Sequence, residues 1–341
     1  VSTGDAGDGF AVTDHCRIVD ASYLASNVPA TSPPPFQVAD DATVIPVNDL
    51  PRMDHVPGQY VIVGSGKTAT DAIVWLLSRG VDPGAICWVR PRDPWMLNRA
   101  KVQPDSVVLL GMAADTMEAA RVATSLDDLF LRLEEAEIML RIDRLVLPTM
   151  ARTPTLAAWE LALLRMVENV VRRGYLRRVE QGRLLFDDGI ETIQQDAVVV
   201  HCAAAGLPRR SPVPIWGRDA IRPQPTRTGF PCFGAAMVGY VEATRDDDDL
   251  KNQVCRPSPY SSTLAEWVEM TVLGARSAQA FGAEPDISEW ANQVALNPAR
   301  VPPESSASAE LDAVKARLRE HREPGLEALV RLSSTARGVA A

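Results

Sequence analysis

Two continuously apolar runs, separated by a glycine-rich break and an amphipathic stretch, stand out in the first third of the chain. Tyr60-Val61-Ile62-Val63 is apolar at every position, which indicates a strand buried on both faces of a parallel sheet. From Asp71 to Ser78 the apolar positions fall on one face of a helix. Ile86-Cys87-Trp88-Val89 is a second buried run. The pattern predicts a strand–loop–helix–strand unit with its loop at residues 64–68.

Other segments carry weaker signals for secondary structure. Ser125 with Asp128 resembles the start of a capped helix, and apolar residues at helical spacing follow it. Residues 105–173 are therefore predicted to form a helical insertion. The further predictions are a short hairpin at 10–19, a proline-rich crossing linker at 25–58, a helix at about 156–171, strands at 175–179, 183–186 and 197–200, a helix at 263–281, and a helical or partly disordered tail at 302–341.

Composition indicates a globular protein and excludes some partners. Hydrophobic residues make up 46% of the 341 positions and charged residues 23%, which suffices for a large core. The formal net charge of −9 argues against sequence-independent nucleic-acid binding, which needs a basic surface. No apolar run approaches the length that crosses a bilayer, so no membrane partner is expected. A small-molecule substrate is expected, and the oligomeric state stays open.

The cysteines and histidines argue against redox-disulfide and metal chemistry. Five cysteines are scattered without a C-x-x-C pair, and four histidines are scattered as well. Dispersed thiols fit a reducing cytoplasm. His201, at the end of a predicted buried strand, is interpreted as a core histidine, with an approach to a cofactor as the alternative.

The loop after the first buried strand matches the dinucleotide pattern G-x-G-x-x-[GA]. In this pattern the first glycine permits a tight turn, the second lets a pyrophosphate approach the backbone, and the third small residue lets the helix pack on the sheet. The pattern requires a strand before the loop, a helix after it and a second strand beyond the helix, and this sequence predicts all three. The predicted contacts are Gly64, Ser65, Gly66, Lys67, Thr68 and Ala69.

The letters G-S-G-K-T in the same loop also resemble the end of a Walker A motif. That motif needs another glycine five residues before Gly66, and Val61 stands there inside the predicted strand. A nucleoside-triphosphate loop is therefore disfavoured.

The tip of the second strand indicates which dinucleotide is bound. NAD sites place an acid there for the ribose 2′-hydroxyl, whereas this chain has Arg90 and Arg92. Two guanidinium groups suit a 2′-phosphate and favour NADP. Two solvated arginines, with Asp93 bound to a ribose hydroxyl, remain the alternative.

With Asp71, the loop becomes G-x-G-x-T-x-x-D and resembles the second dinucleotide motif, G-x-G-x-S-x-x-D, of flavin-dependent monooxygenases and related two-dinucleotide-binding flavoproteins. Residues 63–72, 88–93 and 238–245 are similar to bacterial FAD/NAD(P)-binding oxidoreductases. The resemblance implies an NADP-binding Rossmann-type parallel sheet with a helical insertion, packed on an incomplete FAD-binding domain. It implies FAD as well as NADP, and hydride transfer from NADPH to FAD.

The resemblance also implies a domain plan. Residues 1–56 would end a first FAD segment, 57–207 would form the NADP domain, 208–300 would be the returning FAD segment, and 301–341 the tail. A first G-x-G-x-x-G for the FAD pyrophosphate is absent from the sequence. Because the chain begins at Val1 in what resembles the middle of a sheet, a C-terminal fragment is expected.

Two departures and two rival functions keep the prediction broad. The F-x-G-x-x-x-H fingerprint of monooxygenases is missing, and Thr68 replaces the serine of the motif. The expected activity is therefore an NADPH- and FAD-dependent oxidoreductase, with a monooxygenase as a narrower possibility and with catalytic residues unknown. A flavin-free NADP-dependent reductase and a non-catalytic dinucleotide-binding protein are the alternatives.

Overall fold

The computed structural model describes residues 17–204, 206–207, 210–227, 229–301 and 308–336. Most of the hairpin predicted at 10–19 therefore lies outside the described residues, as do parts of the predicted tail. The described strands are β1 Ile18–Val19, β2 Gln37–Val38, β3 Val44–Pro46, β4 Tyr60–Val63, β5 Ile86–Val89, β6 Trp95–Asn98, β7 Met139–Arg141, β8 Thr155–Leu156, β9 Val170–Val171, β10 Arg178–Glu180, β11 Arg183–Phe186, β12 Gly189–Thr192, β13 Val198–His201 and β14 Ala220–Ile221. The helices are α1 Lys67–Ser78, α2 Ser106–Val122, α3 Leu126–Glu135, α4 Ala158–Leu164, α5 Pro231–Thr244, α6 Asp248–Val254, α7 Leu264–Gly282, α8 Pro285–Gln293 and α9 Ala309–Ala336.

A five-stranded parallel sheet lies at the centre, in the order β3-β13-β4-β5-β9. Every residue of β4, β5 and β13 is buried. Strands covered on both faces need apolar side chains at every position, which explains their continuously apolar sequences. The chain is thus a mixed α/β protein, and the predicted α/β class is confirmed at that level.

Different layers cover the two faces of this sheet. On one face α1 and α4 pack through a core that includes Ile62, Ile73 and Leu164. On the other face lies a four-stranded sheet of order β12-β11-β10-β2, packed through a core that includes Val61 and Leu184. Neighbouring residues of β4 therefore serve opposite cores, as the period-two geometry of a strand requires.

The segment predicted as a helical insertion holds α2, α3 and α4, but it is not purely helical. The prediction of one helix at 156–171 is wrong in its extent, because α4 ends at Leu164 and Val170–Val171 is extended. These two valines pair with Trp88 and Val89 and become the edge strand of the central sheet. β-Branched side chains favour that pairing over another helical turn.

Helices from distant parts of the chain share a separate core beside the sheet. The rings of Trp95, Phe130 and Trp267 pack in sequence, with centroids 5.5 Å and 5.2 Å apart, and join β6, α3 and α7. Helix α9 lies along α2 so closely that a Cβ at Gly325 would stand 2.7 Å from the carbonyl oxygen of Met117. The helical tail is therefore built into this core.

The segments before and after the central sheet also meet each other. The described end of the predicted hairpin, Ile18–Val19, pairs in parallel with Ala220–Ile221. Arg17 forms an ion pair with Asp248 in the same region. A partner about 200 residues away cannot be deduced from a local pattern of apolar residues.

Candidate functional site

The glycine loop consists of three residues, Gly64 to Gly66, between the end of β4 and the start of α1. Gly64 has a φ of +139°, and a Cβ there would lie 3.1 Å from the carbonyl oxygen of Cys202. Its N–H donates to the carbonyl of Val89 at 3.0 Å. A residue with a side chain would be strained at Gly64 by both its backbone angle and its neighbour. The turn is thus held between the ends of β5 and β13.

The outer part of the loop is open and rich in free donors. A Cβ built on Gly66 would have no heavy atom of the described chain within 4 Å. Within the part of the chain that the structure describes, the backbone N–H groups of residues 65–68 donate to no acceptor. The buried hydroxyl of Ser65 likewise lacks a partner. Unpaired N–H groups at a helix start attract an anion.

The small residue that ends the motif occupies the place predicted for it. Ala69 is fully buried between α1 and the sheet, and its N–H donates to the carbonyl of Gly66 at 3.1 Å. Thr68, half-buried, precedes it on the first turn. A larger residue at Ala69 would push the start of α1 away from the strands.

The charged residues on the first turns of α1, beside the loop, form ion pairs, and one partner was not predicted from the sequence. Lys67 Nζ lies 2.5 Å from the exposed Asp71 carboxylate and 3.2 Å from Glu160. Glu160 is buried at the start of α4, where it accepts hydrogen bonds from the Ala157 N–H at 2.6 Å and from Arg99. Burial acts to raise the pKa of Glu160, but these donors hold it below the ordinary value. Glu160 therefore anchors Lys67 as a carboxylate.

Trp88 connects the glycine loop to the first predicted arginine. Its indole N–H donates to the carbonyl oxygen of Gly64 at 2.7 Å. The guanidinium carbon of Arg90 stands 4.6 Å from the centre of the same ring. A cation over an indole face is favourable, and more so when it is desolvated.

Arg90 is buried, which disagrees with the alternative of two solvated arginines at the strand end. Its side chain is 1% exposed and pairs with Asp93 at 2.9 Å. Its Nε and Nη1 groups have no hydrogen-bond partner in the part of the chain that the structure describes. Burial lowers the pKa of Arg90 to about 10, with Asp93 opposing the shift. This guanidinium carries unused donors inside the protein.

Asp93 is also buried and forms ion pairs with two arginines. It is 7% exposed and accepts from Arg172 as well, with Arg172 Nε 3.0 Å from its carboxylate. An acid bound to two guanidinium groups has few lone pairs left for a ribose hydroxyl. The alternative role of Asp93 as the acid of an NAD site therefore loses support.

The structure separates the two arginines that the sequence predicted together. Arg92, half-buried, donates a long hydrogen bond of 3.4 Å to Ser262, next to the start of α7. Arg90 instead borders a cleft of about 480 Å³ between residues 142–145 and 164–172. Arg92 is not among the described residues that line this cleft.

His201 at the end of β13 is buried, as a core histidine should be. Its Nδ1 accepts from the Ala203 N–H at 3.3 Å, and the ring of Phe36 meets it edge-on at 5.9 Å. Burial lowers the pKa of His201, so the ring is neutral near pH 7. Its Nε2 has no partner in the described chain.

The described residues contain no group of three or more His, Cys, Asp or Glu side chains able to hold a metal ion. No helix among them combines the length and apolar character needed to cross a membrane.

Comparison with known proteins yields relatives whose function is not described. No protein-family model matches the sequence. Similar curated proteins occur in Mycobacterium bovis and in two strains of Mycobacterium tuberculosis, and each is named an uncharacterized protein. Each is 36% identical over 295 residues, which cover 86% of this chain and 55% of the relative. The chain therefore spans about half the length of the curated relatives it matches.

Proposed function

We propose that this chain binds NADP(H) at the Gly64–Gly66 loop, as the NADP-binding portion of a flavin-dependent oxidoreductase that passes a hydride from NADPH to FAD. The observation that carries the proposal is the position of the loop in the sheet. Counted from one edge, the strands run β9-β5-β4 against their order in the chain and then jump to β13, the last of these strands along the chain, so the strand order changes direction between β4 and β13. Dinucleotides bind at this reversal of strand order in Rossmann-type sheets.

The residues of the loop fit a pyrophosphate. The open side of Gly66, the free N–H groups of residues 65–68 and the unpaired Ser65 hydroxyl together offer space and donors. Lys67 adds a cation whose charge is partly balanced by Asp71 and Glu160. Bound there, NADPH would be held by the backbone through its phosphates and would supply a hydride.

The preference for NADP over NAD rests on charge beside the second strand. The acid available to an NAD ribose, Asp93, is occupied by Arg90 and Arg172. Guanidinium groups at this position suit a phosphate through charge-assisted bonds.

The flavin part of the proposal rests on the resemblance and on one pairing. β1 and β14 lie on either side of the NADP unit in sequence and pair in parallel, as expected if the segments around them belong to one interrupted domain. β2 and β3, which also lie within residues 1–56, instead pair with β10 and β13 of the NADP unit. Among the described residues, the tight glycine turn that leads from a strand into a helix lies between β4 and α1, and this turn is already assigned to NADP(H). The residues that would hold the FAD pyrophosphate are not identified, so no step through FAD is derived. A small-molecule substrate and a cytoplasmic location belong to the same proposal.

Binding of NADPH to the chain and to Gly66→Val tests the NADP site. The valine should abolish binding without unfolding, because it fills the space that a pyrophosphate needs. Retained binding within threefold of the parent would show that the loop is assigned wrongly.

Visible spectra test the flavin assignment. The 341-residue chain should be colourless, poorly soluble alone and slow in NADPH oxidation. A longer chain, extended upstream to include a first glycine loop, should carry FAD that bleaches when NADPH is added without oxygen. FAD bound stoichiometrically to the 341-residue chain would contradict the need for a first glycine loop. A longer chain that binds NADPH but never bleaches would favour a flavin-free or non-catalytic protein.

A further inference from the structure

A cleft opens where β5 and β9 end side by side. Val89 pairs with Val171, so Arg90 and Arg172, which directly follow these two residues, stand at the same edge of the sheet. Both line the cleft of about 480 Å³, together with residues 142–145. The cleft lies one strand from the glycine loop, because β5 is the direct neighbour of β4.

The inner wall of the cleft contains donors without acceptors. Arg90 is 1% exposed, and its Nε and Nη1 groups have no hydrogen-bond partner among the described residues. Buried polar groups are nearly always hydrogen-bonded, so orphaned donors of a charged side chain call for an explanation. An anion bound in the cleft would lie near these unpaired groups and offset their buried charge.

The outer wall presents a guanidinium that is accessible and held in place. The Arg172 side chain is 32% exposed. Its Nε lies 3.0 Å from the Asp93 carboxylate and its Nη2 lies 2.7 Å from the Asp143 carboxylate. A side chain fixed in this way loses little conformational freedom when a ligand binds.

The charge balance of the cleft favours an anion. Arg90, Arg144, Arg165 and Arg172 line it, against the carboxylates of Asp143 and Glu168 in its wall and of Asp93 behind it. The Arg165 guanidinium donates to the backbone carbonyls of Arg141 and Ile142. Four guanidinium groups outnumber three carboxylates, in a protein whose net charge is −9.

We propose that this cleft receives the 2′-phosphate of NADP(H), and that Arg172 is the residue that contacts it and sets the preference for NADP over NAD. The inference rests on the proposed NADP(H) binding. Arg90 forms the wall behind Arg172 and fixes it through Asp93. Arg92, directed at Ser262, does not take part.

The chain offers a matched control next to the proposed contact. Arg173 carries the same charge but pairs with Asp188 and Glu191, away from the cleft. Arg172→Gln should weaken NADPH binding at least about tenfold, the loss expected for one charged hydrogen bond, and change NADH binding less than threefold. Arg173→Gln should leave both affinities within about threefold of the parent.

A second variant should increase NADPH affinity, a result that a partly unfolded protein would not produce. Asp143→Asn removes a carboxylate from the cleft and keeps an acceptor for Arg172, so it should tighten NADPH binding severalfold and leave NADH binding unchanged. The measurement is a titration of each variant with NADPH and with NADH, alongside a thermal melt.

The outcomes separate the two proposals. NADPH binding that is lost in Gly66→Val but equal in Arg172→Gln and Arg173→Gln would overturn the role of the cleft alone. Weaker NADPH binding in Asp143→Asn would also overturn it. A parent chain that binds neither NADPH nor NADH would overturn the proposed function itself.

Discussion

Replacing Gly64 and Gly66 one at a time with alanine separates the folding role of the loop from its binding role. The two glycines are two residues apart, yet their surroundings differ. Gly64 has a φ of +139° and a neighbouring carbonyl oxygen 3.1 Å from the site of a Cβ, whereas Gly66 has a φ of −85° and open space. The same chemical change should therefore act on different properties.

At Gly64 the alanine should destabilise the fold. A side chain in that backbone region costs about 1–3 kcal/mol. The close approach to the Cys202 carbonyl adds a smaller amount, so a total of about 2–4 kcal/mol is expected. For domains of roughly 150–250 residues each kcal/mol lowers Tm by about 2–4 °C. A fall of at least about 4 °C should result.

At Gly66 the same methyl group should leave stability nearly unchanged. Alanine restricts the unfolded chain, which stabilises by about 0.4–1 kcal/mol. It is also a poorer residue than glycine at the start of a helix, by a similar amount. The two effects oppose each other, so the free energy of unfolding should stay within about 1 kcal/mol. NADPH affinity should fall at least about tenfold, since the methyl group occupies the approach of the pyrophosphate.

Thermal or urea unfolding, followed by NADPH titration of each folded variant, measures both effects. A melting temperature lowered equally in both variants would refute the geometric distinction. Undiminished NADPH affinity in Gly66→Ala would refute the loop as the pyrophosphate site.

Two further predictions concern stability. Burial lowers the pKa of His201 in the folded chain. As the pH falls through the ordinary histidine pKa, the unfolded chain therefore takes up a proton at this residue and the folded chain does not. Stability should therefore drop between about pH 7 and pH 5, and His201→Asn should reduce that slope in Tm against pH; an unchanged slope would exclude His201 as its source. Gly325→Ala should cost about 1–3 kcal/mol because its Cβ would stand 2.7 Å from the Met117 carbonyl oxygen. Gly274→Ala, in open space on α7, should instead stabilise by about 0.5–1 kcal/mol, and equal melting temperatures for these two variants would contradict the packing of α9 on α2.

The strand–loop–helix–strand unit could be predicted from the sequence because every interaction that defines it is local. Tyr60–Val63 and Ile86–Val89 are apolar throughout, and the spacing of the loop glycines sets the turn between strand and helix. The predicted start of the helix at Asp71 was four residues late, because Lys67 to Thr70 resemble a loop when taken alone. Such end effects depend on hydrogen bonds that no periodicity displays.

What surrounds that unit was decided by tertiary structure. β13 joins the sheet from about 135 residues beyond β4, and its Cys202 carbonyl is what requires glycine at position 64. Arg172 and Glu160 reach Asp93 and Lys67 from segments predicted to be helical. The separation of Arg90 from Arg92 likewise follows from their burial and their partners. Local sequence determines where a dinucleotide loop forms, since its geometry needs only neighbouring residues. Which charges stand beside it depends on pairings between distant segments, and these are settled only when the sheet assembles.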